Sequence, residues 1–158
     1  MQGITLLFVG QTADDRVSSF LDEYVTRTSR FVSVDVKTLP EPKTTKNTPP
    51  SLQKELEGAS VLEAVTQGDE VFLLDEKGKE YTSREFAGLV EKMMMTTSKR
   101  LVFVVGGPYG FSDAVYKAFP RKISLSRMTL NHRMVRIFLA EQVYRALSII
   151  RNLPYHHD

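Results

Sequence analysis

The sequence predicts an α/β domain built on a mostly parallel sheet. Strand-like and helix-like stretches alternate strictly along its 158 residues, the pattern that joins parallel strands through helical crossovers. One stretch, Leu101–Val105, is continuously apolar, and strands read that way only when both their faces are covered. At this length a single domain can bury a substantial core without disulfides or metals, so one domain spanning 1–158 is expected.

The elements follow in order. Ile4–Val9, closed by Gly10, reads as a buried strand. Asp14–Thr28 places Val17, Phe20, Leu21, Tyr24 and Val25 at helical spacing. Phe31–Val36 alternates and reads as a strand, while Pro40–Pro50, with four prolines, reads as a loop. Leu52–Val65 is a helix weakened at Gly58, and Glu70–Leu74 is a strand ended by a turn at Asp75-Glu76-Lys77-Gly78. Thr82 and Glu85 have capping-box spacing and open a helix to about Met95. After Leu101–Val105 comes the glycine-rich loop Gly106–Gly110. Ser112 can then cap a short helix that stops at Pro120. Ile123–Ser126 is a short strand, and a long helix runs from His132 to Ile150. On that last helix Val135, Phe138, Leu139, Val143, Ala146 and Ile150 form one apolar stripe, widened by Met134, Ile137, Tyr144 and Leu147. A helix apolar on more than one face needs two surfaces to pack against: a second subunit, or deep insertion into its own core.

Composition removes several classes of function. There is no cysteine, which excludes disulfide scaffolds, thiolate metal sites and thiol nucleophiles. The first ten residues lack the basic start and the small-residue cleavage site of a signal peptide. No run approaches the ~20 apolar residues of a membrane span, so a cytoplasmic protein with no membrane partner is expected. The net charge of +2 hides an asymmetry. Residues 1–98 carry 11 Lys/Arg against 16 Asp/Glu, net −5, and residues 99–158 carry 10 against 3, net +7. A basic half points to an anionic partner, nucleic acid before membrane; a face that merely aids solubility is the plain alternative.

Four constellations could carry chemistry. Gly106–Gly110 follows a strand and precedes a helix, where parallel sheets bind ligands, but its spacing fits neither GxGxxG nor GxxxxGK[ST], and a tight turn without ligand is equally consistent. Leu125-Ser126-Arg127-Met128-Thr129-Leu130 could offer backbone groups and apolar walls to an uncharged heterocycle, or simply connect strand to helix. His132, Arg133, Arg136, Glu141 and Arg145 stand at the start of or along the last helix, where arginines can clamp phosphates, although Glu141 and Arg145 also have the spacing of an intrahelical ion pair. The end, Pro154-Tyr155-His156-His157-Asp158, joins an aromatic to titratable groups. No third ligand accompanies the adjacent histidines at metal-site spacing, so no metal is expected.

Taken together these pieces resemble the RlmH (YbeA-like) family of the SPOUT methyltransferase superfamily. The resemblance rests on Val9-Gly10, Glu23-Tyr24, Leu73-Leu74-Asp75, Gly106-Gly107-Pro108 with Gly110, Leu125-Ser126 with Met128-Thr129-Leu130, His132, Val135-Arg136, Glu141-Gln142 with Tyr144-Arg145-Ala146, and Pro154-Tyr155-His156. They occur in family order over essentially the whole chain. The resemblance implies a parallel α/β sheet whose C-terminal part forms a trefoil knot, which general topological rules would discard, and a homodimer. It implies methyl transfer from S-adenosylmethionine to N3 of a pseudouridine in the helix 69 loop of 23S ribosomal RNA. By position, Leu74, Gly106 and Leu125–Leu130 should line the cofactor, with Gly107 and Pro108 shaping the same wall. His132, Arg136, Glu141, Arg145, Tyr155 and His156 should form the substrate side, partly across a dimer interface, with His156 or His132 as proton acceptor. Asn131 departs from the family, where many members carry proline. A non-catalytic nucleotide-binding module and a SPOUT enzyme acting on tRNA are the competing readings.

Overall fold

The computed structural model describes residues 1–12 and 14–157. Ten elements alternate in order: β1 (Gly3–Val9), α1 (Asp15–Thr28), β2 (Val34–Leu39), α2 (Pro50–Ala64), β3 (Glu70–Glu80), α3 (Ser83–Thr96), β4 (Arg100–Val105), α4 (Asp113–Ala118), β5 (Lys122–Ser124) and α5 (His132–Ile150). The strands form one sheet in the order β2-β1-β4-β3-β5, with every pairing parallel.

Side chains alternate across a strand, and the sheet uses both faces. Ile4, Leu6 and Phe8 of β1 join Leu101, Phe103 and Val105 of β4 beneath Leu21 of α1, Phe86 and Val90 of α3, and Leu139 and Val143 of α5. Leu7, Val9, Val102, Val104 and Leu73 face the other way, toward Val61 of α2 and Val115 of α4. The continuous apolar reading of Leu101–Val105 therefore reflects burial on two sides. Local chemistry starts the helices. Asp14 accepts from the Arg16 amide at the start of α1; Thr82 and Glu85 form the expected capping box on α3; Ser112 accepts from the Val115 amide on α4.

Three readings shift. Phe20 faces solvent, 55% exposed, because α1 buries only one narrow stripe, led by Val17 and Leu21. The second strand begins at Val34 rather than Phe31, since residues 31 and 32 close the end of α1 through hydrogen bonds to the Thr28 carbonyl. The third strand does not stop at Leu74. The Asp75 carboxylate does accept from the Lys77 amide at 2.8 Å, the turn its composition predicts. The chain then rejoins the sheet: Ile123 pairs first with Leu74 and again with Lys79. Residues 75–78 thus bulge out between two contacts with the same short strand.

Gly78 marks where the two segments press together. A Cβ built there would stand 2.5–2.7 Å from the backbone of Ile123 and Ser124, a distance that only a side-chain-free residue permits. The fixed backbone cannot retreat as a flexible side chain could. Gly78→Ala is accordingly expected to cost about 3 kcal/mol, the upper end for overpacking. The corresponding fall in Tm is about 6–12 °C for a chain of this size, and thermal melts of the two proteins measure it.

Candidate functional site

The carboxyl ends of β3, β4 and β5 open into a cleft of about 720 Å³, within the range of small-molecule sites. Its floor is made by Leu74, the last residue of β3 before the bulge, with Val105 and Ile123. Gly106 to Phe111 form one wall, and Ser124 to Asn131, apart from Arg127, form the other. A parallel sheet places ligands here because strand ends and helix starts converge on this edge.

Each wall is held by short-range bonds. Ser124 Oγ donates to the Ser126 carbonyl at 3.0 Å, and Ser126 Oγ accepts from the Met128 amide at 3.0 Å. Asn131 Oδ1 then accepts from the Arg133 amide at 2.9 Å and caps α5, so the residue that departs from the family pattern has a local role. The opposite wall turns tightly, with the Gly110 amide bonded to the Gly107 carbonyl at 3.2 Å. Met128 and Leu130 present apolar surface, and Met128 is 77% exposed. Glycine backbone and apolar side chains on these two walls suit a nucleoside-like ligand.

Nine of the ten residues expected to hold a cofactor line this cleft: Leu74, Gly106, Gly107, Pro108, Leu125, Ser126, Met128, Thr129 and Leu130. Arg127 does not. Its side chain is turned to solvent and lies 3.6 Å from Glu80. His132 stands at the rim.

The remaining expected site residues lie elsewhere. Arg136 is 1% exposed. Its guanidinium donates to the carbonyls of Val9 and Gly10 at 2.8 and 2.9 Å and to Thr12 Oγ1 at 2.5 Å, and it lies 5.0 Å from the Phe8 ring centre. It is enclosed by the end of β1 and out of reach of a phosphate, so the expectation that it contacts substrate is corrected: Arg136 fastens α5 to the sheet. Burial pushes its pKa down.

Glu141, Arg145, Tyr155 and His156 do come together, but away from the cleft. Arg145 donates to Glu141 Oε1 at 2.5 and 3.0 Å, Tyr155 donates to the same oxygen at 3.0 Å, and Arg145 Nη1 lies 3.3 Å from His156 Nδ1. The intrahelical pair read from spacing is therefore present, and the chain end folds back onto it. Tyr144 packs edge-on against Tyr155 with centroids 4.7 Å apart. Burial, then hydrogen bonds with Tyr24 and Glu141, drive the Tyr155 phenol well above its usual pKa. Asp158 of the quoted ending lies outside the described residues. Along α5, Glu141 and Arg145 are about 13 and 20 Å from His132 at 1.5 Å per residue.

Some cleft residues escaped the sequence reading. Asp75, Glu76 and Lys77 line the rim, although none of them stood among the expected site residues. Tyr116 lines it too and donates its hydroxyl to Asp75 Oδ2. Nothing in a lone tyrosine on a short helix signals that partnership. Burial and the Asp75 carboxylate raise the Tyr116 phenol to about 12.

The fold is that of a SPOUT methyltransferase. A family model described as "Predicted SPOUT methyltransferase" matches residues 1–156. The chain is similar to a protein named ribosomal RNA large subunit methyltransferase H from Phocaeicola vulgatus, 50% identical over 154 residues and covering 98% of each chain. It is 47% identical to the protein of the same name from Bacteroides thetaiotaomicron over 98% of each. Among solved structures it resembles a tRNA (m1G37) methyltransferase from Aquifex aeolicus, with a TM-score of 0.53 at 16% identity, covering 96% of this chain and 71% of that one. A structure described as a probable methylase family protein from Haemophilus influenzae gives 0.57 at 14% identity, covering 94% and 66%. These two likenesses concern the fold. The chain belongs to the SPOUT methyltransferases, and within them to the ribosomal RNA large subunit methyltransferase H family.

Two outcomes check this assignment of roles. Asp75→Asn should lower the Tyr116 titration from about 12 toward the ordinary 10, because its phenolate would no longer face a carboxylate; tyrosinate absorbance reports it. Arg136→Met should destabilise the fold by about 3 kcal/mol, since charged hydrogen bonds to buried carbonyls are lost; urea unfolding measures this.

Proposed function

We propose that this protein transfers a methyl group from S-adenosylmethionine to N3 of a pseudouridine in the helix 69 loop of 23S ribosomal RNA. It does so as a cytoplasmic homodimer of single-domain subunits, each knotted at its C-terminal end. The observation that carries this reading is the cleft. Nine of the ten residues expected around the cofactor wall it, at the carboxyl ends of three adjacent strands. The full-length similarity to proteins named ribosomal RNA large subunit methyltransferase H supports the substrate. The return of the chain to β5 after the bulge, with Gly78 pressed against it, supports the threading.

S-adenosylmethionine supplies an electrophilic methyl carbon on a sulfonium. The chain's task is to present N3 of the base to that carbon in line. Transfer would join N3 to that carbon and release the neutral thioether, so the chain's own groups must take up the N3 proton. The chain holds two imidazoles for this, His132 at the cleft rim and His156 beside Arg145.

The separation of the tail cluster from the cleft supports the dimer. In one protomer Glu141 and Arg145 stand some 13–20 Å along α5 from His132, away from the cleft. A second copy can bring its tail cluster to the first copy's cleft. Exposed apolar groups beside the cleft, Met128 and Leu130, and Met134 and Phe138 on the outer face of α5, offer the surface such a partner would cover. Arg145, whose pair with Glu141 is only partly buried, and the exposed Arg127 and Arg133 provide positive charge for RNA.

Calorimetry with S-adenosylmethionine and with its demethylated product is expected to show binding to the wild-type protein, and no heat with either rejects the enzyme. His156→Ala and Arg145→Ala are each expected to retain the fold and slow methylation of ribosomes at least tenfold; unchanged rates for both reject the assignment of the tail. Unmodified helix 69 in a strain lacking the gene is the outcome that separates this substrate from tRNA.

A further inference from the structure

Glu57 belongs to none of the sets above. It lies on α2 and is 4% exposed, although burying a carboxylic acid costs free energy unless its oxygens are satisfied. Gln53, one turn earlier, donates to Oε1 at 2.9 Å. Oε2 is shielded from solvent and has no hydrogen-bond partner among the described residues.

Its position gives the reason. Oε2 lies against the backbone of Gly107, in the cofactor wall. A Cβ built on Gly107 would stand 2.3 Å from Oε2 and 2.7 Å from Glu57 Cδ, so glycine at 107 is what admits the carboxyl. The next residue repeats the contact: a Cβ on Gly58 would meet Ser112 Oγ at 2.2 Å. Helix α2 therefore presses on the segment 107–112 at both ends, with Glu57 under Gly107 and Gly58 under the residue that caps α4. Burial, with the Glu41 carboxylate nearby, pushes the Glu57 acid up, in keeping with a group that has lost water and gained no cation.

We infer that Glu57 is a positioning residue of the cofactor wall. Its carboxyl group is the stop against which the Gly107 backbone rests, and it sets the width of the cleft along Gly106–Pro108. The inference rests on reading the cleft as the S-adenosylmethionine site. Glu57 is absent from the cleft lining and acts through the loop. The carboxyl stays in place because Gln53 holds one oxygen and the packing of α2 encloses the other.

The test uses the full chain and two readouts. Glu57→Ala is expected to raise the Kd and KM for S-adenosylmethionine about tenfold or more, because small misplacements of binding groups are costly, while kcat at saturating cofactor changes little. Amide hydrogen exchange of residues 106–110 should quicken in the same variant without any ligand present. Glu57→Gln, which keeps the shape, should stay near wild type, and Glu57→Asp, one carbon short, should behave like the alanine. Gly107→Ala should weaken cofactor binding on its own and regain part of it when combined with Glu57→Ala, since the new methyl then fills the space vacated. Such non-additivity reports direct contact. Unchanged affinity and unchanged loop exchange in Glu57→Ala overturn the inference, as does strict additivity of the pair. Should Glu57→Ala fail to fold, the contrast between Gln and Asp decides, and equal behaviour of those two overturns it. A wild-type protein that binds no S-adenosylmethionine defeats the cofactor reading instead, and loop exchange in the variants still judges Glu57.

Discussion

The hold of Arg136 on the end of β1 is the constraint on which the molecule depends. Carbonyls at the end of a strand normally turn to water. Here Val9 and Gly10 are roofed by α5, and a guanidinium from that helix satisfies both while its face rests near Phe8. The contact fixes α5 in rotation as well as position. Leu139, Ala140, Val143 and Ala146 then meet the sheet and its neighbouring helices, His132 falls at the cleft rim, and Met134 and Phe138 are left facing outward. A lysine could supply charge there but not the planar fork that reaches several acceptors at once.

This also shows what was legible in the sequence. Alternation of strand and helix gave the parallel sheet, and α5 was placed to the residue, because apolar periodicity and capping are local signals. The two loops that wall the cleft were legible because glycine-rich and strand-to-helix connections end strands in sequence as they do in space. Arg136 was misread because its partners are backbone carbonyls, which have no letter in a sequence. An arginine among site residues looks like a phosphate contact until its surroundings are seen. Glu57 and Tyr116 were passed over for a related reason. Their partners, Gly107 and Asp75, are about fifty and forty residues away, and no spacing rule connects them.

The strand read as ending at Leu74 is a different kind of miss. Its turn was real, with Asp75 accepting from Lys77, but the chain returned to β5 after it. Turn chemistry reports what four residues do locally. It does not report that a segment some forty-five residues later will occupy the place beside them. Nonlocal pairing is the main part of this fold that local reasoning does not reach.

The close contact of Gly78 with β5 has a consequence for how the protein comes to exist. Strands β1 to β4 all precede residue 106, so four of the five strands can pair while the remainder is still being synthesised, as domains made N-terminus first often do. The cleft cannot form at that stage. Its second wall, β5 and α5 all come from the chain's last third, and β5 must find its place against a bulge already shaped by Gly78. Enclosure of the cleft thus depends on residues made after β4, and a chain stopped before β5 lacks its second wall altogether.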